Sequence, residues 1–329
     1  MSIASTLLCF ALTTAPESRE SVESSIRQTL DALPGKTALL FAEITDHGPR
    51  PQFAVRDQQS FAIGSSFKLY IFGTLVDEVN TSHRRLEDIM LLRRDLEGPP
   101  SSELAAWLVG SPVTLHTLAL KMMSVSDNTA TDHLHYLLGR EQIEGQMAEM
   151  GHSNPGVNRP LLSTREMTML RDKRTGLLAR KYQALAEPAR RQFLAEHFHG
   201  IPDYGSLDFD TAAYDVSEWY ASPMDMAKAL DWIYRHTRTD DAAHSMREIL
   251  AVETKLPHRA AIWKYVGFKG GSEDQLLAGN WLLEDTAGKW YTFHVFWNSG
   301  QAPVKPAQFL EAIEKILTLI ERHLGTQPK

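Results

Sequence analysis

Strand-like segments lie only near the two ends of the chain, and this separation strongly constrains the fold. Five runs rich in apolar and β-branched residues have this character: 37–44, 52–55, 262–268, 276–284 and 290–297. Between the two groups, residues 80–244 show irregular helical periodicity and no convincing strand. We therefore predict an α/β (α+β) fold with one five-stranded antiparallel sheet and a large inserted all-α lobe.

Helical periodicity at both ends of the chain indicates how the sheet is covered. Residues 17–33 and 306–324 place apolar side chains at helical spacing, so we expect both terminal helices to pack on the sheet. The chain then divides into a discontinuous α/β lobe, residues 16–80 plus 245–329, and a helical lobe, residues 81–244. A cleft between two such lobes is the expected place for a binding site.

The composition argues against several classes of partner. The 329 residues are 43% hydrophobic and 23% charged, and the net charge is −7 without a long basic run. We therefore expect no nucleic acid, no anionic membrane surface and no membrane span. Cys9 is the only cysteine, and the thirteen histidines form no His-Glu-x-x-His motif. We expect a monomer that needs neither a metal nor an organic cofactor.

The first fifteen residues resemble the apolar core of a signal peptide. The segment from Ile3 to Ala15 is mostly apolar and ends in small residues, although no Lys or Arg precedes it. We take residues 1–15 as a candidate signal segment and expect a periplasmic or secreted protein.

Residues 64–68, Gly-Ser-Ser-Phe-Lys, open an apolar run that is typical of a buried helix. Ser65 and Lys68 would share one face of that helix, one turn apart. The hydroxyl of Ser65 would lie near the positive end of the helix dipole, and a buried Lys68 could lose its proton and act as a base. This is the arrangement of a serine nucleophile with a lysine partner. A Ser-x-x-Lys sequence also arises by chance, so the motif needs support from elsewhere.

Two further segments have ordinary structural explanations when each is taken alone. Residues 126–128, Ser-Asp-Asn, lie between apolar runs, and all three residue types are favoured at helix N-caps. Residues 269–272, Lys-Gly-Gly-Ser, follow an apolar strand and predict a hairpin turn at Gly270 and Gly271.

Taken together, the three segments match a known set: Ser-x-x-Lys, then Ser-Asp-Asn, then a Lys-x-Gly motif, in this order. The chain resembles the superfamily of serine β-lactamases and penicillin-binding proteins, and is most similar to the class A β-lactamase type. The resemblance extends over nearly the whole chain, and its first two motifs are specific.

The resemblance implies catalytic roles for three side chains. Ser65 would be the nucleophile that forms an acyl-enzyme with a lactam, amide or ester carbonyl. Lys68 would take its proton, directly or through Ser126. Ser126 would relay a proton to the leaving group.

Substrate-binding roles are implied for four further residues, namely Asn128, Lys269, Gly271 and Ser272. Asn128 would hold Lys68 and bond the substrate's side-chain amide, and Lys269 would attract a substrate carboxylate. The backbone N–H groups of Ser65 and Ser272 would form the oxyanion hole. Asp127 is interpreted as structural.

The sequence departs from the class A pattern at three places. Gly270 replaces the threonine of Lys-Thr-Gly, which removes one hydroxyl donor to a substrate carboxylate. The Glu-x-x-Leu-Asn loop that supplies the water-activating glutamate is missing, and we interpret Glu166 as an acid at a helix start. An insertion at 171–218 includes acidic and aromatic residues, which we interpret mainly as surface loop and packing. The alternatives are a lid or an altered wall of the cleft, or a replacement base supplied from residues 203–219.

The predicted function is therefore a β-lactamase-like serine hydrolase in which acylation is intact and release of the acyl group is slowed. One alternative is an esterase or D-peptidase on the same scaffold. Another is a protein that binds or senses β-lactams or peptidoglycan fragments without turnover.

Overall fold

A computed structural model describes residues 18–98, 101–198, 208, 217–238, 241–256, 259–300 and 302–325. The candidate signal segment at 1–15 and most of the acidic stretch 203–210 lie outside these described residues.

The predicted five-stranded antiparallel sheet is confirmed. The strands in the described part of the chain are β1 Lys36–Thr45, β2 Gly48–Val55, β3 Phe61–Ala62, β4 Ile89–Leu91, β5 Pro112–Thr114, β6 Tyr220–Ala221, β7 Trp263–Glu273, β8 Leu276–Asp285 and β9 Trp290–Asn298. The main sheet has the order β2-β1-β9-β8-β7, and each neighbouring pair is antiparallel. The first strands of the chain thus pair with the last, as the separated strand segments require.

Helices fill most of the remaining described chain. They are α1 Arg19–Asp31, α2 Lys68–Asn80, α3 Leu115–Ser124, α4 Asn128–Leu138, α5 Arg140–Glu149, α6 Thr164–Arg171, α7 Gly176–Gln183, α8 Glu187–His197, α9 Pro223–His236, α10 Asp241–Leu250 and α11 Pro306–Gly325. No helix in the described ranges has both the length and the apolar composition to cross a membrane.

The two faces of the sheet are covered by different helices. The terminal helices α1 and α11 bury residues such as Ile26 and Ile316 against Phe41 and Phe293. Helix α9 packs Ala227 on the opposite face, where α2 and α10 also lie. Burial of each large apolar side chain contributes roughly 1.5–3 kcal/mol, so both helix layers hold the sheet in place.

Two expectations about local structure were wrong. The inserted lobe is not all-α, because β4 pairs with β5 within it and β6 pairs with β3. Strand β7 also continues through Gly270 and Gly271 to Glu273, where a hairpin turn was predicted. These glycines allow close packing of the strand, because a Cβ at Gly270 would meet the ring of Phe268 and a Cβ at Gly271 would meet the backbone of Ile63.

Candidate active site

Ser65 lies in a 3₁₀ turn, Gly64–Phe67, which leads directly into α2. The backbone N–H of Lys68 donates to the carbonyls of Ser65 and Ser66, so the predicted helix start is present with a tighter first turn. Trp219 stacks on Phe67 with ring centroids 3.8 Å apart, and its carbonyl accepts the N–H of Ile63 at 2.9 Å. The turn Gly64–Phe67, called the nucleophile turn because it carries the predicted nucleophile Ser65, is therefore held by the segment that precedes α9.

Lys68 is completely buried at the start of α2, one turn after Ser65, and is held from the helical lobe. Its Nζ donates to the carbonyl of Ser126 at 2.7 Å, to Ser126 Oγ at 3.1 Å and to Asn128 Oδ1 at 2.7 Å. Burial lowers the pKa of Lys68 from 10.5 to about 7, against the opposing fields of Asp132, Asp127 and Glu273. Burial therefore favours the neutral amine at neutral pH, the form that can accept a proton.

Ser126 lies between α3 and α4 and connects the two site lysines. Its Oγ accepts Lys68 Nζ at 3.1 Å and Lys269 Nζ at 3.0 Å. Its φ of 59° is in the left-handed region, which non-glycine residues avoid and which recurs at functional sites. The backbone carbonyl of Lys121 accepts the N–H of Asp127, the next residue, which helps to hold the turn.

The α4 N-terminus places two neighbouring residues, Asp127 and Asn128, in different environments. Asp127 caps the helix: its carboxylate accepts the N–H groups of Ala130, Glu103 and Leu104 and the hydroxyl of Ser102. This agrees with the structural interpretation of Asp127. The next side chain, Asn128, instead points its Oδ1 at Lys68.

Lys269 reaches the same point from the opposite lobe. Its Nζ donates to Ser126 Oγ at 3.0 Å and to the carbonyl of Gly270 at 2.6 Å. Burial and repulsion by Lys68 place the pKa of Lys269 well below its usual range. Two ammonium groups on one hydroxyl would repel each other, which favours the neutral form of at least one of the two lysines in the empty site.

Gly271 lets strand β7 pack directly against the nucleophile turn. A Cβ at this position would lie 1.9 Å from the carbonyl oxygen of Ile63 and 2.9 Å from the backbone N of Ser65. The close approach also places the N of Ser272 only 3.3 Å from where a Cβ of Gly64 would lie. The backbones of Ser65 and Ser272 therefore meet at one edge of the cleft, as an oxyanion hole requires.

A cleft of about 580 Å³ passes over these groups. All of the predicted site residues except the buried Lys68 line it: Ser65, Ser126, Asn128, Lys269, Gly271 and Ser272. Its far wall is apolar and includes Phe268, Trp281 and Phe309. A larger groove along α11 is lined by Leu310, Glu314 and Arg322, and none of the predicted site residues lies in its walls.

The ring of Phe268 occupies the space above Gly270. A Cβ at Gly270 would lie 2.6 Å from the tip of that ring, which in turn packs 5.0 Å from the centroid of Trp281. The strand therefore presents an aromatic ring where the related motif presents a threonine hydroxyl.

Glu166 is used at the start of α6. It forms a capping box with Ser163 and an ion pair with Arg140 at 2.6 Å. Although burial opposes ionisation, Arg140 keeps the pKa of Glu166 below its usual value. These contacts agree with the interpretation of Glu166 as an acid at a helix start.

Sequence reasoning missed two polar residues beside the site. Asn280 on β8 donates to Ser66 Oγ at 2.9 Å and to the carbonyl of Lys269 at 3.0 Å. Glu273, on the strand that carries Lys269, also lines the cleft. The period of two along β7 is the signal that would have placed Glu273 on the same face as Lys269.

Solved structures share this fold over nearly their whole length. A β-lactamase from Sphaerobacter thermophilus is 19% identical with a TM-score of 0.66, and the match covers 95% of this chain and 100% of that one. A PBP-A mutant in an acyl-enzyme complex with penicillin G is 17% identical with a TM-score of 0.64, covering 94% and 97%. The TLA-1 extended-spectrum β-lactamase is 14% identical with a TM-score of 0.65, covering 94% and 99%. At these identities the likeness shows the fold alone.

Comparison of the sequence with protein families gives a more direct result. A search of curated proteins found no match to this chain. The model of the beta-lactamase enzyme family, however, matches residues 21–262, well over half of the chain and both of the serine motifs. With the serine β-lactamase fold around those motifs, the chain belongs to the beta-lactamase enzyme family.

Proposed function

We propose that this protein forms an acyl-enzyme at Ser65 with a β-lactam, or with a related amide or ester, and then hydrolyses it. The observation that carries the proposal is the hydrogen-bonded chain Lys68–Ser126–Lys269 at the cleft that Ser65 also lines. It supplies a base for a weak nucleophile and a donor for the leaving group in one connected arrangement.

Acylation would use this chain in two steps. Neutral Lys68 takes the proton of Ser65 as its Oγ bonds to the carbonyl carbon, and the N–H groups of Ser65 and Ser272 stabilise the oxyanion. The intermediate then collapses with cleavage of the C–N or C–O bond. Ser126 gives its proton to the leaving atom and regains one from Lys68, so the amine ends neutral again.

Lys269 would orient an anionic substrate. A carboxylate bound near its Nζ favours the ammonium form, and so raises the lowered pKa of Lys269. The charged lysine would then hold the carboxylate and donate to Ser126 Oγ, which prepares Ser126 to protonate the leaving group.

The test is intact-mass spectrometry of the protein mixed with benzylpenicillin, a cephalosporin, an acyl-D-Ala-D-Ala peptide and a small thioester. We expect an adduct on Ser65 with a β-lactam, followed by return to the original mass. Neither Ser65→Ala nor Lys68→Ala should form the adduct. An adduct of normal rate in either variant would overturn the assigned roles.

The same experiment addresses a second candidate, an esterase or D-peptidase. The ring of Phe268 above Gly270 favours it, because the hydroxyl that would bind a β-lactam carboxylate is replaced by an apolar group. Turnover of the thioester or peptide but not of the β-lactams would support this candidate. An adduct that persists with every compound would instead indicate a protein that binds without turnover.

A further inference from the structure

Strand β7 places three side-chain positions on the face that meets the nucleophile turn. Lys269, Gly271 and Glu273 alternate with outward residues, as the period of two requires. Lys269 contacts Ser126, and Gly271 lies against the N–H of Ser65. Glu273 follows two residues later, roughly 7 Å along the strand, on the side of Ser65 away from Ser126.

The carboxylate of Glu273 is held from one side and open on the other. Its Oε2 lies 3.2 Å from Nη1 of Arg171, and its side chain is 24% exposed. Within the described residues, its Oε1 accepts no hydrogen bond. Glu273 also borders an adjacent pocket of about 680 Å³, so its side chain is accessible from both the cleft and that pocket.

The charges around Glu273 leave it short of positive partners. Arg171 also binds Glu218, with Nη2 and Oε2 2.9 Å apart, so two carboxylates share one guanidinium. Burial, Glu218 and Asp274 raise the pKa of Glu273 to about 7, against the lowering effects of Arg171 and Lys68. Such a carboxylate accepts a proton more readily than an ordinary glutamate at neutral pH.

The other acidic residues near the site form structural hydrogen bonds or ion pairs. Asp132 is buried and accepts the backbone N–H groups of Thr164 and Arg165 at the start of α6. Glu218 is buried and accepts the N–H of Trp219. Glu253 lines the cleft but forms an ion pair with Lys255. The backbone carbonyl of the next residue, Thr254, accepts the indole N–H of Trp281, a core residue packed with the terminal helices.

We propose that Glu273 is the general base that activates water to release the acyl group from Ser65. This role rests on the acyl-enzyme proposed above. The water oxygen bonds to the ester carbonyl carbon as its proton passes to the Glu273 carboxylate. The bond from that carbon to Ser65 Oγ then breaks, and the proton returns to Ser65, directly or through Lys68. The acid product leaves, and both residues regain their starting states.

The test separates acylation from release. Wild-type protein, Glu273→Gln and the control Glu149→Gln, at an exposed position on α5 that does not line the cleft, are mixed with benzylpenicillin in a quench-flow instrument and followed by intact mass. We expect similar acylation in all three, and release about 100-fold slower or more in Glu273→Gln alone. Release at the wild-type rate in Glu273→Gln would overturn the proposal, as would a wild-type adduct that never hydrolyses. Failure of the wild type to acylate with every compound would overturn the proposed function itself.

The pH dependence supplies an independent readout. As pH rises through about 7, Glu273 loses its proton, so wild-type release should rise and then level off. This rise should be lost in Glu273→Gln, which keeps Lys68. Glu273→Asp keeps the charge near Arg171 but withdraws the carboxylate, so release should be slowed with the pH dependence retained. A pH profile unchanged in a folded Glu273→Gln protein would contradict the assignment.

Discussion

Gly271 affects both the packing of the sheet and the geometry of the candidate active site. Any side chain there would overlap the carbonyl of Ile63, and backbone atoms cannot move aside as a flexible side chain does. The absence of a side chain lets the N–H of Ser65 and the strand that carries Ser272 approach each other. A single methyl group at this position therefore acts on stability and on the oxyanion hole together.

Gly271→Ala should lower the free energy of unfolding by about 2–4 kcal/mol, because β7 must move away from the nucleophile turn. Acylation of Ser65 should fall at least about tenfold, since the two oxyanion donors separate. Urea unfolding and quench-flow mass spectrometry measure the two effects. Gly145→Ala is the matched control: Gly145 lies on α5 with open space around its Cβ position. This variant should be stabilised by about 0.5–1 kcal/mol with normal acylation. An equally stable Gly271→Ala protein would contradict the packing argument.

At the scale of the element, the start of α6 shows how an acidic residue near an active site can be wholly structural. Glu166 closes the capping box of this helix and binds Arg140, while Asp132 on α4 accepts the N–H groups of Thr164 and Arg165. The helix N-terminus is thus held by two carboxylates, as its orphan donors and its dipole favour.

Glu166→Gln should keep the capping box but lose the ion pair with Arg140. We expect the free energy of unfolding at pH 7 to fall by about 1–3 kcal/mol. The ionised form is favoured in the folded state, so this contribution is present above the unfolded pKa and is lost as pH falls through the lower folded pKa. Urea unfolding at pH 7 and pH 4 tests this difference. Release of the acyl group should be unchanged, and an accumulating adduct in this variant would assign Glu166 a catalytic role.

At the scale of the whole molecule, Asn280 connects the sheet with the nucleophile turn. Its amide reaches Ser66 and the carbonyl of Lys269, and its Oδ1 lies 2.9 Å from Nδ1 of His294 on β9. Burial lowers the pKa of His294 to about 3, so this histidine is neutral and its Nδ1–H donates to Asn280. Strands β7, β8 and β9 are thereby joined to the turn that carries Ser65.

Asn280→Ala should cost about 2–4 kcal/mol of unfolding free energy, because it leaves Ser66, His294 and a buried carbonyl without this partner. Acylation should also slow, since Lys269 and the Ser65 turn are no longer held in register. Thermal unfolding and the rate of adduct formation measure both effects. Asn154→Ala, at an exposed position, should change stability by less than about 0.5 kcal/mol. Normal acylation in a destabilised Asn280→Ala protein would show that the link serves folding only.

Much of the fold and the principal site side chains could be predicted from local pattern. The separated strand segments led to one sheet with an inserted helical lobe, because periodicity reports which face of each element is buried. Ser65, Lys68 and Ser126 belong to short motifs whose chemistry depends on a few neighbouring residues. The structure brings these residues together with Asn128 and Lys269, while their catalytic roles stay predictions.

The residues that sequence reasoning missed depend on packing between distant segments. A Gly-Gly pair is ambiguous between a turn and a close approach, and only the carbonyl of Ile63 against β7 decides between them. The positions of Glu273 and Asn280 follow from strand pairing, and the protonation of Glu273 depends on a guanidinium about a hundred residues away. The sequence by itself determined the fold class and the nucleophile motif, since both depend on the spacing of residues that are close together in the chain. Only the tertiary structure decided which carboxylates line the cleft and how each is paired, because burial and charge pairing arise from contacts between segments far apart in the chain.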